Sequence, residues 1–287
     1  MIPKIDWSTT AAERWIYRHV PGALTGMRQA EWLFSDLLLK LYSDHRAARL
    51  LNLLGRAHLR ATVRDPALRR ALTPEYAFGC KRILLSNTFY PALRRPNVEL
   101  VPHGLREVRE HAVVAADGTI HEVDTIIWGT GFFVSDLPFT ERIHGRDGRS
   151  LAQTWAGNPS AYFGTSISGF PNAFMLFGPN IGTVSAFPML EGQLNHLTAA
   201  VRALRTHQLS SIDIKPEIVR AYKDKVNTRL ANSTWNAGGC TSYYLDSTGA
   251  NYSVYPGTMR QLVREGSRFD LDTYRASRQP DPIARRV

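Results

Sequence analysis

The 287 residues are 44% hydrophobic and 21% charged, apolar content enough for one large globular body or two smaller ones, which excludes disorder over the whole length. Lys and Arg number 35 against 25 Asp and Glu, a net charge of +10. The surplus sits largely at Arg46, Arg49, Arg56, Arg60, Arg64, Arg69 and Arg70, and again at Arg275, Arg278, Arg285 and Arg286; with no aromatic residue between Arg56 and Arg70 and no nucleic-acid module, a solvated helix face is preferred to nucleic-acid binding.

Cys80 and Cys240 are too few and too isolated for a disulfide framework or a metal cluster, so no metal is expected and a reducing cytoplasm fits best. The N-terminus lacks the apolar core of a secretory signal, and no run approaches the roughly 20 apolar residues of a membrane span. The sequons at Asn232 and Asn251 are then chance matches.

Residues 1–8 read as an extended entry around Pro3. From Ala11 to about Leu72 the pattern is helical, with Trp15 and His19 on one face and Trp32, Leu33, Asp36, Leu37, Lys40 and Leu41 at spacings of three and four. Asp65-Pro66 supplies a cap and a first-turn proline for a short helix through Leu72. After Thr73-Pro74 the period shifts: 82–86, 98–101, 111–115 and 120–128 predict strands, with Ala116-Asp-Gly-Thr119 as a hairpin turn between the last two. Their apolar runs predict a sheet covered on both faces. A further strand is predicted at Ala173–Phe177, running into the turn Gly178-Pro-Asn-Ile-Gly-Thr183 and then a helix with Leu190, Leu194, Leu197, Val201 and Leu204 as its apolar stripe. A second amphipathic helix spans Pro216–Leu230. Residues 235–256 form a packed loop rich in Gly, Tyr and Asn, and a last helix covers 258–265.

Two turns carry possible chemistry. A glycine turn leading into a helix presents N–H groups and the positive end of the helix dipole, which suits an anion, and 177–185 has that layout. The run Asp124-Thr-Ile-Ile-Trp-Gly-Thr-Gly131 predicts a buried strand whose end passes close to something flat. Taken singly, each is equally an ordinary turn. Neither is a Gly-x-Gly-x-x-Gly fingerprint, and the chain contains no phosphate loop and no Gly-x-Ser-x-Gly nucleophile elbow. Lys81-Arg82, between Gly79 and a buried-type strand, predicts a cation held at a strand start, where a guanidinium can stabilise an anion.

Together, Phe78-Gly-Cys-Lys-Arg-Ile-Leu-Leu-Ser86, Arg95-Pro-Asn-Val-Glu-Leu-Val101, Asp124 to Gly131, Phe170 to Asn180 and Trp235 to Pro256 resemble the C-terminal half of the class B flavoprotein monooxygenases. They look most like the Baeyer–Villiger monooxygenases and next like the flavin-containing monooxygenases. The resemblance implies an α/β chain: a partial two-dinucleotide-binding-domain, Rossmann-like flavoprotein fold with a helical insert and its N-terminal βαβ units missing. It implies 1–79 as the helical insert of an NADPH domain, 80–127 as the remainder of that domain, and 128–287 as part of an FAD domain. FAD and NADPH are the implied cofactors. The implied chemistry places one oxygen atom from O2 into a ketone or onto a soft heteroatom through a C4a-peroxyflavin.

By the same resemblance Arg82 is the catalytic arginine and Lys81 lies near the cofactor phosphate. Gly129, Thr130, Gly131, Gly178, Pro179, Asn180, Gly182 and Thr183 contact cofactor. The family's Gly-x-Gly-x-x-Gly fingerprints and its Phe-x-Gly-x-x-x-His signature have no counterpart, and Val184–Phe187 replaces a common Gly-His-Asn-Ser. The implied partners are therefore a substrate, O2 and a separate N-terminal polypeptide or a homo-oligomer. The alternative is a truncated, inert fragment acting as a protein-interaction module.

Overall fold

The computed structural model describes residues 1–4, 8–131, 137–182, 185–240, 242–246 and 248–278, with the backbone alone at 42, 43, 45 and 46. Thr10 opens helix α1 (Ala11–His19) with a complete capping box, its hydroxyl accepting the Glu13 N–H and the Glu13 carboxylate accepting the Thr10 N–H. Helices α2 (Ala23–Ser43) and α3 (His45–Thr62) follow, then α4 (Pro66–Ala71), where Asp65 caps the Ala67 N–H as expected. The helical expectation over 11–72 holds. Contacts divide the chain into two units, 1–7 with 49–75 and 82–133, and 8–48 with 76–81 and 134–287. This partition follows contacts rather than chain order and shares the helical segment between the units.

In the first unit, Leu59 of α3 and Val63 just beyond it pack on Tyr90 of α5 (Phe89–Ala92), with Met1, Leu68 and Leu72 around them. Strands β1 (Leu105–Val108), β2 (Ala112–Ala115) and β3 (Ile120–Glu122) form an antiparallel meander, pairing Leu105 with Ala115 and Val114 with Ile120. The predicted turn at 116–119 is present. Gly118 takes φ 92, and Asp117 Oδ1 accepts the Thr119 N–H at 3.0 Å.

The other predicted strands of this unit are corrected. At 82–86 one residue pairs, Leu85, in a parallel bridge with Ile2; 98–101 forms no strand; and β3 stops at Glu122, leaving 124–128 unpaired. A strand needs a neighbour to take up its N–H and C=O groups. The segment 82–86 has Ile2 alone as its neighbour, and among the described residues 98–101 and 124–128 have no strand beside them, with Ile127 at 91% and Trp128 at 62% exposure.

The second unit holds a short helix α6 (Leu151–Trp155) and is built on α7 (Ala186–Thr206), which packs against α10 (Met259–Gly266) and against a two-stranded antiparallel sheet of β4 (Leu209–Ile214) and β5 (Tyr274–Arg278). The helices α7 and α10 approach through glycines: a Cβ on Gly266 would stand 2.3 Å from the Gly192 carbonyl oxygen. Helix α8 (Pro216–Leu230) matches its predicted span, and its Val226 and Leu230 pack with Leu39 of α2, Trp235, Tyr244 and Val254. Trp235 belongs to a short helix, α9 (Thr234–Ala237), at the start of a loop whose Tyr252, Val254 and Tyr255 are also buried, so the packed-loop reading holds.

The stripe on α7 is corrected. Leu194 and Val201 are exposed, while Met189, Gln193, His196 and Ala200 are buried. A count of apolar residues alone passes over Gln193, whose amide finds all its partners inside, and His196, whose Nε2 meets Tyr274 Oη. The strand at 173–177 is corrected to a single bridge, Phe174 with Ser166. Strands β4 and β5 were not predicted, because Ser210, Ser211 and Asp213 break up the apolar residues of Leu209–Ile214 and β5 holds two arginines.

Candidate active site

The turn from Phe177 to Gly182 is held by backbone bonds to the loop at 251–255. Tyr252 O accepts the Asn180 N–H at 2.7 Å, Ser253 O accepts the Gly182 N–H at 2.7 Å, and Gly182 O accepts the Tyr255 N–H at 3.0 Å. The Asn180 side chain is buried and donates through Nδ2 to Asn251 O and Val254 O. Phe177 and Asn180 both lie in the left-handed region, at φ 61 and 56. The glycines make room for the chain itself: a Cβ on Gly178 would lie 2.3 Å from Gly164 O, and one on Gly182 would lie 2.8 Å from Ser253 O. Pro179 is buried, and Thr183 lies outside the described residues.

Behind the turn, α7 begins at Ala186 with no acidic residue in its first turn and no side-chain cap bond from Ser185. That end keeps the positive sense of its dipole without a carboxylate to offset it. Phe187 at 79% exposure and Phe177 at 56% flank the turn.

The segment before Arg82 holds a correction. Cys80 and Cys240 form a disulfide across 160 residues of chain. Sequence spacing gave no sign of it, because the pairing depends on the fold bringing 76–81 onto 238–240, where Gly238 O also accepts the Ala77 N–H at 2.9 Å. A paired cysteine removes the reason for assigning a reducing compartment. The next residue, Lys81, places its ammonium 5.0 Å from the centre of the Tyr76 ring.

Arg82 belongs to the other unit and is exposed, with no carboxylate paired to it among the described residues. In that same unit Gly129, Thr130 and Gly131 are exposed, and a Cβ at either glycine would meet nothing within 4 Å. The close neighbour expected for this stretch is therefore not among the described residues of the chain. Of the sequence-selected residues, Lys81 and the 178–182 turn share one unit, and Arg82 and 129–131 share the other. An open groove of about 880 Å3 lined by Arg109–Ala112, Ile120 and Glu122–Thr125 contains none of them. Among the described residues no helix is long and apolar enough to cross a membrane.

No protein-family model matches the chain. A Baeyer–Villiger monooxygenase of Streptomyces coelicolor is 42% identical over 282 residues, covering 97% of this chain and 54% of that protein. The crystal structure of cyclohexanone monooxygenase from Rhodococcus sp. Phi1 bound to NADP+ superposes with a TM-score of 0.71 at 26% identity, over 83% of this chain and 46% of that one. The chain is similar to about half of a Baeyer–Villiger monooxygenase, and the C-terminal half of that family fits it. It spans about half the length of the curated relatives it matches. The structure of OTEMO in complex with FAD and NADP, 21% identical with a TM-score of 0.71, shares the fold.

With this Baeyer–Villiger half in view, the fit to a flavin divides in two. The start of α7, with no acidic residue in its first turn, and the exposed aromatics beside it suit the electron-rich edge of a flavin ring. A cradle for the pyrophosphate is not among the 287 residues, which carry no Gly-x-Gly-x-x-Gly. Sequence reasoning missed Gln193, Asn251 and Cys240, the residues that shape the ground beneath the candidate site. Gln and Asn at helix and loop positions read as surface, and only their buried partners reveal them.

Proposed function

We propose that the chain is the C-terminal half of an NADPH- and FAD-dependent monooxygenase that inserts one oxygen atom of O2 into a ketone or adds it to a soft heteroatom. The observation carrying this reading is the 42% identity over 97% of the chain. When bound, the flavin supplies electron transfer from NADPH to O2. The chain's own residues have three tasks. Arg82 offers an exposed guanidinium to negative charge developing beside the ring. The start of α7 would favour negative charge on a bound flavin. Lys81, over the Tyr76 ring, would supply a second cation for cofactor phosphate.

The segments 82–86, bridged only to Ile2, and 124–128, which pairs with no strand among the described residues, support a second part of the proposal. Their exposed Leu84, Leu85, Ile127 and Trp128 would pair with and be covered by polypeptide equivalent to the other half of the relatives, joined to this chain or separate from it. The test is to record the flavin spectrum of the purified 287-residue chain, then co-express it with a segment matching that other half. FAD retention and NADPH-dependent oxygenation are expected from the pair and not from the chain alone. Tight FAD binding with NADPH oxidation by the chain alone would overturn the need for a covering half. A folded pair without oxygenation would favour an inert interaction module, the reading that the exposed stripe Leu24, Phe34 and Leu37 on α2 also suits.

A further inference from the structure

Gln193 sits two turns into α7 at 1% exposure, and its amide joins two backbone turns that lie back to back. Its Oε1 accepts the Phe177 N–H at 2.9 Å, and its Nε2 donates to Phe163 O at 3.1 Å and to Gly164 O at 2.8 Å. Since one partner is an N–H and two are carbonyls, the amide has a single satisfying orientation, and both of its hydrogens are used. The bridged turns are unusual on both sides. Phe163 and Gly164 take φ 53 and 61, and Phe177 takes φ 61. A non-glycine residue in that region costs on the order of 1 kcal/mol and persists only where its surroundings hold it. The carbonyl of Gly164 also lies against Gly178 so closely that no Cβ fits there.

We infer that Gln193 is a positioning residue: its buried amide locks Phe177 and Gly178 in the conformation that aims the 177–182 turn and the start of α7 at the flavin. The flavin part of this inference rests on the function proposed above, whereas the lock itself does not. An apolar isostere leaves one N–H and two carbonyls buried without partners, and the left-handed Phe177 then loses its anchor. Glutamate keeps the acceptor for Phe177, but when ionised it turns a negative oxygen towards two carbonyls.

The test uses Gln193→Met and Gln193→Glu in the purified full chain and in the chain paired with the complementary half. In the chain alone, amide hydrogen exchange at Phe177 should be at least tenfold faster in Gln193→Met, with the amides of α10 keeping their protection. Gln193→Glu should restore Phe177 protection in part, most strongly at acid pH, where the neutral carboxyl regains one donor. In the pair, Gln193→Met should shift the visible flavin spectrum and the flavin's reduction potential while NADPH still binds. Unchanged exchange at Phe177 overturns the lock. Faster exchange with an unchanged flavin spectrum and potential overturns its role towards the flavin. A wild-type pair that takes up no FAD, with the lock intact by exchange, overturns the function reading and leaves the lock standing.

Discussion

The carboxylate of Asp36, in the middle of α2, accepts the backbone N–H of Met259 at 2.8 Å and so closes the first turn of α10, 223 residues away. Its second oxygen accepts Arg260 Nε at 2.9 Å, and the carboxylate itself is only 3% exposed. A buried carboxylate is stable only when it is paired and hydrogen-bonded, and here both conditions are met by one helix terminus. This contact explains why α2 turns a polar residue inward with Leu39 while Leu33, Leu37 and Leu41 face out.

Asp36→Ala should therefore lower the stability of the chain by about 2–3 kcal/mol, the loss of a helix-terminus partner together with a charged hydrogen bond. Asp36→Asn keeps an acceptor for Met259 and loses only the ion pair to a half-exposed arginine, so it should cost about 1 kcal/mol or less. Urea unfolding of the two variants checks the contrast. Equal losses would show that the Met259 bond is not what matters.

His196 makes a pH prediction. Its Nε2 lies 2.7 Å from Tyr274 Oη, which in turn lies 2.8 Å from Ser166 Oγ, and the imidazole is enclosed by Tyr162, Phe163 and Phe269. Burial pushes its pKa down from the ordinary 6.5 to about 4. Between those values the unfolded chain binds a proton that the folded chain refuses, so stability falls as pH drops from about 6.5 to about 4 and falls no further below. The loss is on the order of 3 kcal/mol. His196→Gln should flatten this part of the pH–stability curve relative to wild type, as read from urea midpoints between pH 7 and 4. A variant whose curve runs parallel to wild type would refute the neutral buried imidazole.

How much was legible follows from what each residue needs. Helices α1 to α4, α8 and α10 repeat apolar residues at helical spacing or carry a cap, and those signals are local. The strands at 82–86 and 124–128 have the composition of a sheet interior, but a strand is completed by its neighbour, and composition carries no information on whether the neighbour is in the same chain. The face of α7 was misread because Gln193 and His196 earn burial through partners distant in sequence. Of the candidate site, Lys81 and Arg82 and the two glycine turns could be picked out only as a set, through resemblance. Gln193 and Asn251, which clamp the 177–182 turn, and the Cys80–Cys240 bond beside Lys81 depend on contacts between distant segments and left no local mark.

The disulfide makes a prediction of its own. Cys80 is 1% exposed, and its bond to Cys240 closes a loop of 160 residues, which restricts the unfolded chain more than the folded one. Cys80→Ala should lower stability under oxidising conditions by about 2–4 kcal/mol. Wild type treated with dithiothreitol should unfold at nearly the same urea concentration as the variant, while the variant should not respond to the reductant. Identical midpoints for oxidised and reduced wild type would show that the bond adds nothing to the fold.

Arg82 separates the catalytic reading from the structural one. It is exposed, engages no carboxylate among the described residues, and follows a segment tied down by Cys80 and by the stacking of Lys81 on Tyr76. A side chain in that position contributes little to the core, so Arg82→Ala should leave the thermal midpoint of the chain within a degree or two. In the reconstituted pair the same change should lower oxygenation by a factor of about 100 or more, the loss seen when a fixed donor to a developing anion is removed. Arg82→Lys keeps the charge without the planar fork and should recover a minor part of it. Product formation per NADPH consumed, measured beside the melting curves, tests both halves. Wild-type product yield from Arg82→Ala would remove the residue from the chemistry, and a collapsed melting curve would move it into the fold.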